Sequence, residues 1–240
     1  MKTHLKYIKF QYIIISIVLL LSVETCHAQS SKVAPEGPAL ELSVSYYDRS
    51  LNAEGVLREI RFQEKMQRRP GHVWVMRVLP KTASDSHSHN EATHDHKHFN
   101  PVLLPRHVMM EKGNLKLEYV DRSKKEVINI VASEFENVSF DGSWVNAYFL
   151  VDPQQVLAMP LSTKTSTVSG AHWYEQQKNG VFQRVLWDEV NMIPLEIETG
   201  KRDGTVFRKV TVTVTAKDQV DSPWQKTQGY QQKEYSDFLD

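Results

Sequence analysis

From Ala39 onward, apolar and polar residues alternate with a period of two, the pattern of strands with one buried face. Leu42, Val44 and Tyr46 alternate with Ser43 and Ser45. The stretch from Val56 to Met66 is less regular and reads at first as a helical stripe. A turn near 51–55 and a strand from Arg58 to Gln67 accommodate it better. Arg68-Arg69-Pro70-Gly71 predicts a turn. His72 to Leu79 predicts a strand with Val73, Val75 and Arg77 on one face and Trp74, Met76 and Val78 on the other.

The rhythm stops at residues 80–106 and then returns. Leu115 to Tyr119, a turn at 121–125, and Val127 to Val131 predict a hairpin, with a further strand at Phe135 to Phe140. Asp141-Gly142 predicts a tight turn into a strand from Trp144 to Val151. Asp152-Pro153 opens a short helix, with Asp152 as N-cap and Pro153 at its first position, and Pro160 stops it. Residues 162–169 form a Ser/Thr-rich loop. Four strands follow, at His172 to Gln177, Phe182 to Trp187, Ile193 to Thr199 and Thr205 to Thr215. Asn179-Gly180 and Asp203-Gly204 supply hairpin turns, so these strands form an antiparallel meander. The polar tail, 218–240, is expected to be loosely ordered, with Trp224, Tyr230, Tyr235 and Phe238 as scattered anchors. The fold class is therefore mostly β: a single β-rich domain over 39–217 with one or two short helices, behind a disordered lead at 29–38.

The first 28 residues change the setting. Lys2, Lys6 and Lys9 precede an apolar run from Tyr12 to Val23, and Cys26-His27-Ala28 resembles a cleavage site. The run is short of the roughly 20 residues a spanning helix needs, so 1–28 reads as a cleavable signal and the remainder as non-transmembrane. An uncleaved anchor is the alternative reading, as is lipidation at Cys26, although Glu24 and Thr25 make a poor lipidation box. Cleavage removes the only cysteine, three lysines and one glutamate. What remains has 26 basic and 28 acidic residues, a formal net charge of −2 and no capacity for a disulfide. No net basic excess is there to hold nucleic acid or an anionic membrane surface by counterion release, and nucleic acid is excluded as a partner.

Residues 80–106 are too polar to bury and long for a hairpin connection. Within them His87, His89, His94, His96 and His98 fall close together, with Asp85, Glu91 and Asp95 among them. Neutral imidazoles are common ligands for zinc, copper and nickel, and i, i+2 spacing on an extended chain forms a pincer. His87, His89, His94, His96 and His98 with Asp95 are therefore the candidate metal ligands, for Zn or Cu. The same composition also suits a solvated tract that takes up metal incidentally, or a loop that charges as pH falls. His107 with Met109 and Met110 is a ligand mix that suits copper, but a strand contribution to the core is the simpler reading. His72 and His172 each begin a strand and read as packing or edge residues, and Trp144, Trp173 and Trp187 as core anchors.

The C-terminal meander carries a resemblance. Trp173-Tyr174-Glu175, Gln183-Arg184-Val185-Leu186-Trp187-Asp188, Ile193-Pro194-Leu195-Glu196-Ile197-Glu198 and Asp203-Gly204-Thr205 resemble the half-barrel family of the bacterial lipoprotein carrier LolA and the periplasmic sensor RseB. The resemblance implies a curved antiparallel sheet, open on one side, whose apolar concave face holds acyl chains or a partner peptide.

No Ser or Thr sits in a nucleophile elbow, no glycines cluster into a phosphate loop, and the acid pairs Glu134/Glu136 and Glu196/Glu198 read as solvent-facing. No catalytic residue is assigned. The expected function is that of a periplasmic, non-enzymatic binding protein for a lipid, lipoprotein or partner peptide. The alternative is a Cu, Zn or Ni chaperone acting through the His-rich tract.

Overall fold

A computed structural model describes residues 36–80, 99–217 and 221–238. Residues 1–28, expected to be a cleavable signal, and the His-rich tract, with His87, His89, His94, Asp95, His96 and His98, lie outside the described residues. Eleven strands form one open, curved sheet among the described residues. They are β1 (Leu40–Leu51), β2 (Leu57–Arg69), β3 (His72–Arg77), β4 (Arg106–Glu111), β5 (Asn114–Asp121) and β6 (Glu126–Ile130), then β7 (Ala171–Lys178), β8 (Val181–Asp188), β9 (Ile193–Lys201), β10 (Val206–Lys217) and β11 (Gln231–Glu234). The spatial order is β11-β6-β5-β4-β3-β2-β1-β10-β9-β8-β7. Two meanders, β1–β6 and β7–β10, are thus fused where β1 pairs antiparallel with β10. This is the mostly-β, open half-barrel that the alternation and the resemblance implied.

Strand alternation sorts the side chains. Leu40, Leu42 and Val44 of β1, Met66 of β2, Val73 and Val75 of β3, Val108 of β4 and Leu117 of β5 point to one side and are buried there. We call this the inner face. Val185, Trp187, Ile193, Ile197, Val210 and Val212 continue the same cluster into the second meander. Asn179 and Gly180, at φ 51° and 76°, make the two-residue turn expected between β7 and β8.

Three segments depart from the sequence reading. Phe135–Phe140 is not a strand: 3₁₀ turns occupy Ala132–Glu134 and Glu136–Val138. Trp144–Val151 is not a strand either, but begins with helix α1 (Trp144–Phe149). The local reason is a cap. The Ser143 hydroxyl accepts from the Asn146 amide, and the Asp141 carboxylate accepts from the Ser143 amide and the Asn146 side chain. Trp144, Tyr148 and Phe149 then share one helical face and are buried against the inner face of the sheet, a gain that outweighs their strand propensity. Helix α2 (Pro153–Leu157) follows as expected, with Asp152 accepting from the Gln154 amide.

The third departure is at the C-terminus. Residues 221–238, expected to be loose, wrap the sheet edge. Trp224 stacks on His72 at 4.7 Å between centroids, β11 pairs parallel with β6, and Tyr235 and Phe238 close on Phe99. Arg68 and Arg69, expected in a turn, instead end β2 and are buried. No helix among the described residues is long and apolar enough to cross a membrane.

Candidate functional site

The helices cover only part of the inner face. At the covered end Arg68 is fully buried and makes four hydrogen bonds to backbone carbonyls: two to Pro38 and one each to Asn191 and Met192. Its guanidinium lies 5.0 Å from the Tyr148 ring centroid, and the Tyr148 hydroxyl donates to the Gly37 carbonyl. Burial pulls Arg68 down to about 10 and pushes the Tyr148 phenol up to about 12, so at neutral pH the pair remains cation and neutral phenol.

The other end is open. Two adjacent cavities, of about 280 and 420 Å³, share Glu64, Val75, Arg106 and Ser139 in their linings and together make up the inner groove. Val44, Met66, Ala147 and Leu150 line the part nearer α1, and Phe62, Pro101, Val102 and Leu104 line the part farther from it. The floor is an aromatic pair, Tyr46 stacked on Phe62 at 4.4 Å between centroids. The walls are mixed, about as polar as they are apolar, and so suit a ligand that has both kinds of surface.

Those polar groups are unusual for the core side of a sheet. Arg77 lies 3.5 Å from the Phe62 ring centroid and 3.8 Å from the Glu64 carboxylate. Arg208, at the groove margin, is paired with Asp48. Burial, followed by the Glu64 charge, raises the Tyr46 phenol, which stays protonated. Burial also raises the Tyr119 phenol, opposed by the Arg106 charge. Arg106 is the exception: its buried Nε has no hydrogen-bond partner among the described residues. A buried donor left unpaired costs on the order of 1–3 kcal/mol, so an acceptor brought in by a ligand would be stabilised here.

Sequence reasoning assigned none of these residues to a site. The signal was present: alternation places Asp48, Glu64, Arg77, Arg106 and Arg208 on the face that otherwise buries Val, Leu and Met. Charged side chains on a core face mark a place that is not filled by core.

The other readings divide as follows. His107 and Met109 are buried on the outer face, whereas Met110 packs toward the inner cluster, so the three do not converge. His72 and His107 are packing residues, but also partners: their rings meet Nδ1 to Nε2 at 3.1 Å beneath Trp224, and His107 Nδ1 lies 3.4 Å from Glu118. Trp144 and Trp187 are core anchors, and Trp173 is buried on the outer face under the Lys164 ammonium. Among the described residues no three His, Cys, Asp or Glu side chains are grouped to hold a metal ion.

No family model matches the chain, and no curated protein matches it. Solved structures do. An uncharacterized conserved protein of Thermus thermophilus is 9% identical, with a TM-score of 0.40 over 81% of this chain and 90% of that one. A DUF1329 family protein of Desulfovibrio piger is 10% identical, with a TM-score of 0.36 over 78% and 88%. An outer membrane lipoprotein-sorting protein domain of Vibrio parahaemolyticus is 12% identical, with a TM-score of 0.29 over 78% and 89%.

Proposed function

We propose that this chain is an exported, non-enzymatic binding protein of the bacterial periplasm, and that it holds an amphipathic ligand in the inner groove. The observation that carries this reading is the groove itself: adjacent cavities with an aromatic floor, walls part apolar and part polar, and an arginine whose buried Nε has no acceptor among the described residues. A lipid, or the acyl portion of a lipoprotein, fits that mixture of surfaces. A partner peptide is the other ligand with both an apolar part and hydrogen-bond acceptors. The export signal at 1–28 supports the location.

The test is displacement of a dansyl-labelled medium-chain fatty acid from the purified chain starting at Gln29. Wild type binds the probe saturably. Ala147→Glu, which puts a charged side chain into the groove from α1, weakens binding by about tenfold or more. Probe binding that is absent, or unaffected by the substitution, removes the groove from the function.

A metal role for His87, His89, His94, His96 and His98 is a separate proposal that rests on their sequence clustering. Arg77 and Pro101, on either side of that tract in sequence, both line the groove. Calorimetric titration of Zn²⁺ and Cu²⁺ into wild type and a variant with those five histidines changed to Ala tests it. Tight stoichiometric binding lost in the variant supports metal handling, and weak multi-site binding makes the tract incidental.

A further inference from the structure

Hairpin tips are ordinarily polar, because they are the part of a sheet most fully in water. Three neighbouring hairpins in this protein have polar turns, at 52–55, 179–180 and 202–204, but apolar residues flank those turns. The β1–β2, β9–β10 and β7–β8 turns lie side by side, joined by backbone hydrogen bonds from Leu51 to Thr205 and from Arg202 to Gly180. They expose Leu51, Val56, Leu57, Ile60, Val181 and Val206, with Val56 60% and Leu57 56% accessible.

The charge around them is equally uneven. Segments 49–61, 178–182 and 200–207 carry six Lys or Arg and three Asp or Glu, a local excess of three positive charges in a chain that is net −2 without its leader. Just behind the tips, on the outer face, three arginines lie over aromatic rings: Arg61 on Tyr47 at 4.7 Å, Arg184 on Phe182 at 5.0 Å and Arg49 on Phe207 at 6.0 Å. The rim therefore combines exposed apolar side chains, aromatic rings and cations around its polar turns. A bilayer surface offers a partner for each: hydrocarbon, an interface that favours aromatic rings, and anionic headgroups.

We propose that this rim docks onto the surface of an anionic bilayer. The Leu51, Val56, Leu57 and Val206 side chains enter the headgroup layer, and Arg58, Lys201 and Arg202 meet the lipid phosphates. The surface goes beyond the groove reading and does not depend on it, although the groove opens toward this end through Tyr46, Phe62 and Arg208. The charge excess selects an anionic membrane over a neutral protein surface.

The experiment is flotation of the chain from Gln29 onward with vesicles of phosphatidylcholine alone and of phosphatidylcholine with phosphatidylglycerol, with circular dichroism confirming that each variant is folded. Wild type floats with the anionic vesicles and less so as salt rises. The triple substitution Arg58→Gln, Lys201→Gln, Arg202→Gln lowers the partition coefficient on the order of 100-fold, and Leu51→Ser, Val56→Ser, Leu57→Ser lowers it by about tenfold or more. A Val56→Trp reporter is quenched by brominated lipid. Ala147→Glu floats as wild type does, which separates docking from ligand binding. The proposal is overturned by flotation that is absent, indifferent to phosphatidylglycerol, unchanged in both triple variants or lost in Ala147→Glu. Rim crosslinks to an envelope protein without vesicle binding overturn it as well.

Discussion

Two arginines on the same face of the sheet, two strands apart, have opposite surroundings. Arg68 at the covered end is sealed beneath α1 and spends its N–H groups on carbonyls of Pro38, Asn191 and Met192. Arg106 at the open end faces a groove, and its buried Nε is without a partner among the described residues. The first satisfies its hydrogen bonds within the fold and so stabilises it. The second has unused bonding capacity beside a cavity. Buried Arg69 Nε and Gln67 Oε1 also lack partners among the described residues, so it is the unpaired donor together with the inner groove that makes Arg106 a candidate ligand contact.

The contrast is broken most directly by removing each cation. Arg68→Met leaves three backbone carbonyls short of a donor and removes the cation packed on Tyr148 and Phe149, and is expected to cost about 3–5 kcal/mol. Arg106→Met forfeits less, about 1 kcal/mol, because part of its bonding is unused. Urea unfolding midpoints compare them, and equal losses would erase the distinction between the two ends.

A smaller effect separates the inner face from the outer. Burial, with the neighbouring His107, holds the His72 imidazole below its ordinary 6.5, against the pull of Glu111, Glu118 and Glu36. The unfolded chain therefore takes up this proton at a higher pH than the folded one. Stability is fully present above about 6.5 and falls as pH drops below it. Melting temperatures at pH 7.5 and 5.5 should show that loss in wild type, and a smaller loss in His72→Gln.

The smallest expected effect is at the groove floor. Tyr46→Phe removes the hydroxyl beside Glu64 and keeps the stack on Phe62, at about 0.5–1.5 kcal/mol. Burial holds the folded phenol above its usual range, so wild-type stability also declines above pH 10, where the unfolded tyrosine ionises first. The variant should lose part of that alkaline slope in the same unfolding assay.

Much of the sheet was legible because strand alternation is local. Nine of the eleven strands among the described residues lie where the sequence pattern predicts strands, and Asn179-Gly180 set its hairpin by backbone conformation alone. What escaped was decided by contacts distant in sequence. Trp144, Tyr148 and Phe149 are strand-forming types whose helical face becomes apparent only against the sheet it covers. β11 is polar, and its pairing with β6 is held by Trp224, Tyr235 and Phe238 on either side of the edge. The site was half legible: Arg77 could be placed on the face of Val73 and Val75 from alternation, but nothing local brings Arg106 and Tyr46 to the same groove.

The division of the inner face is tested most directly by amide chemical shifts of the ¹⁵N-labelled chain during titration with a lysophospholipid. If the open end is the binding site, the shifts concentrate at Tyr46, Phe62, Val75, Arg106 and Ala147, while Arg68, Asn191 and Met192 stay still. Shifts spread over the covered end, or confined to the loop around Lys164 and Trp173, would contradict it.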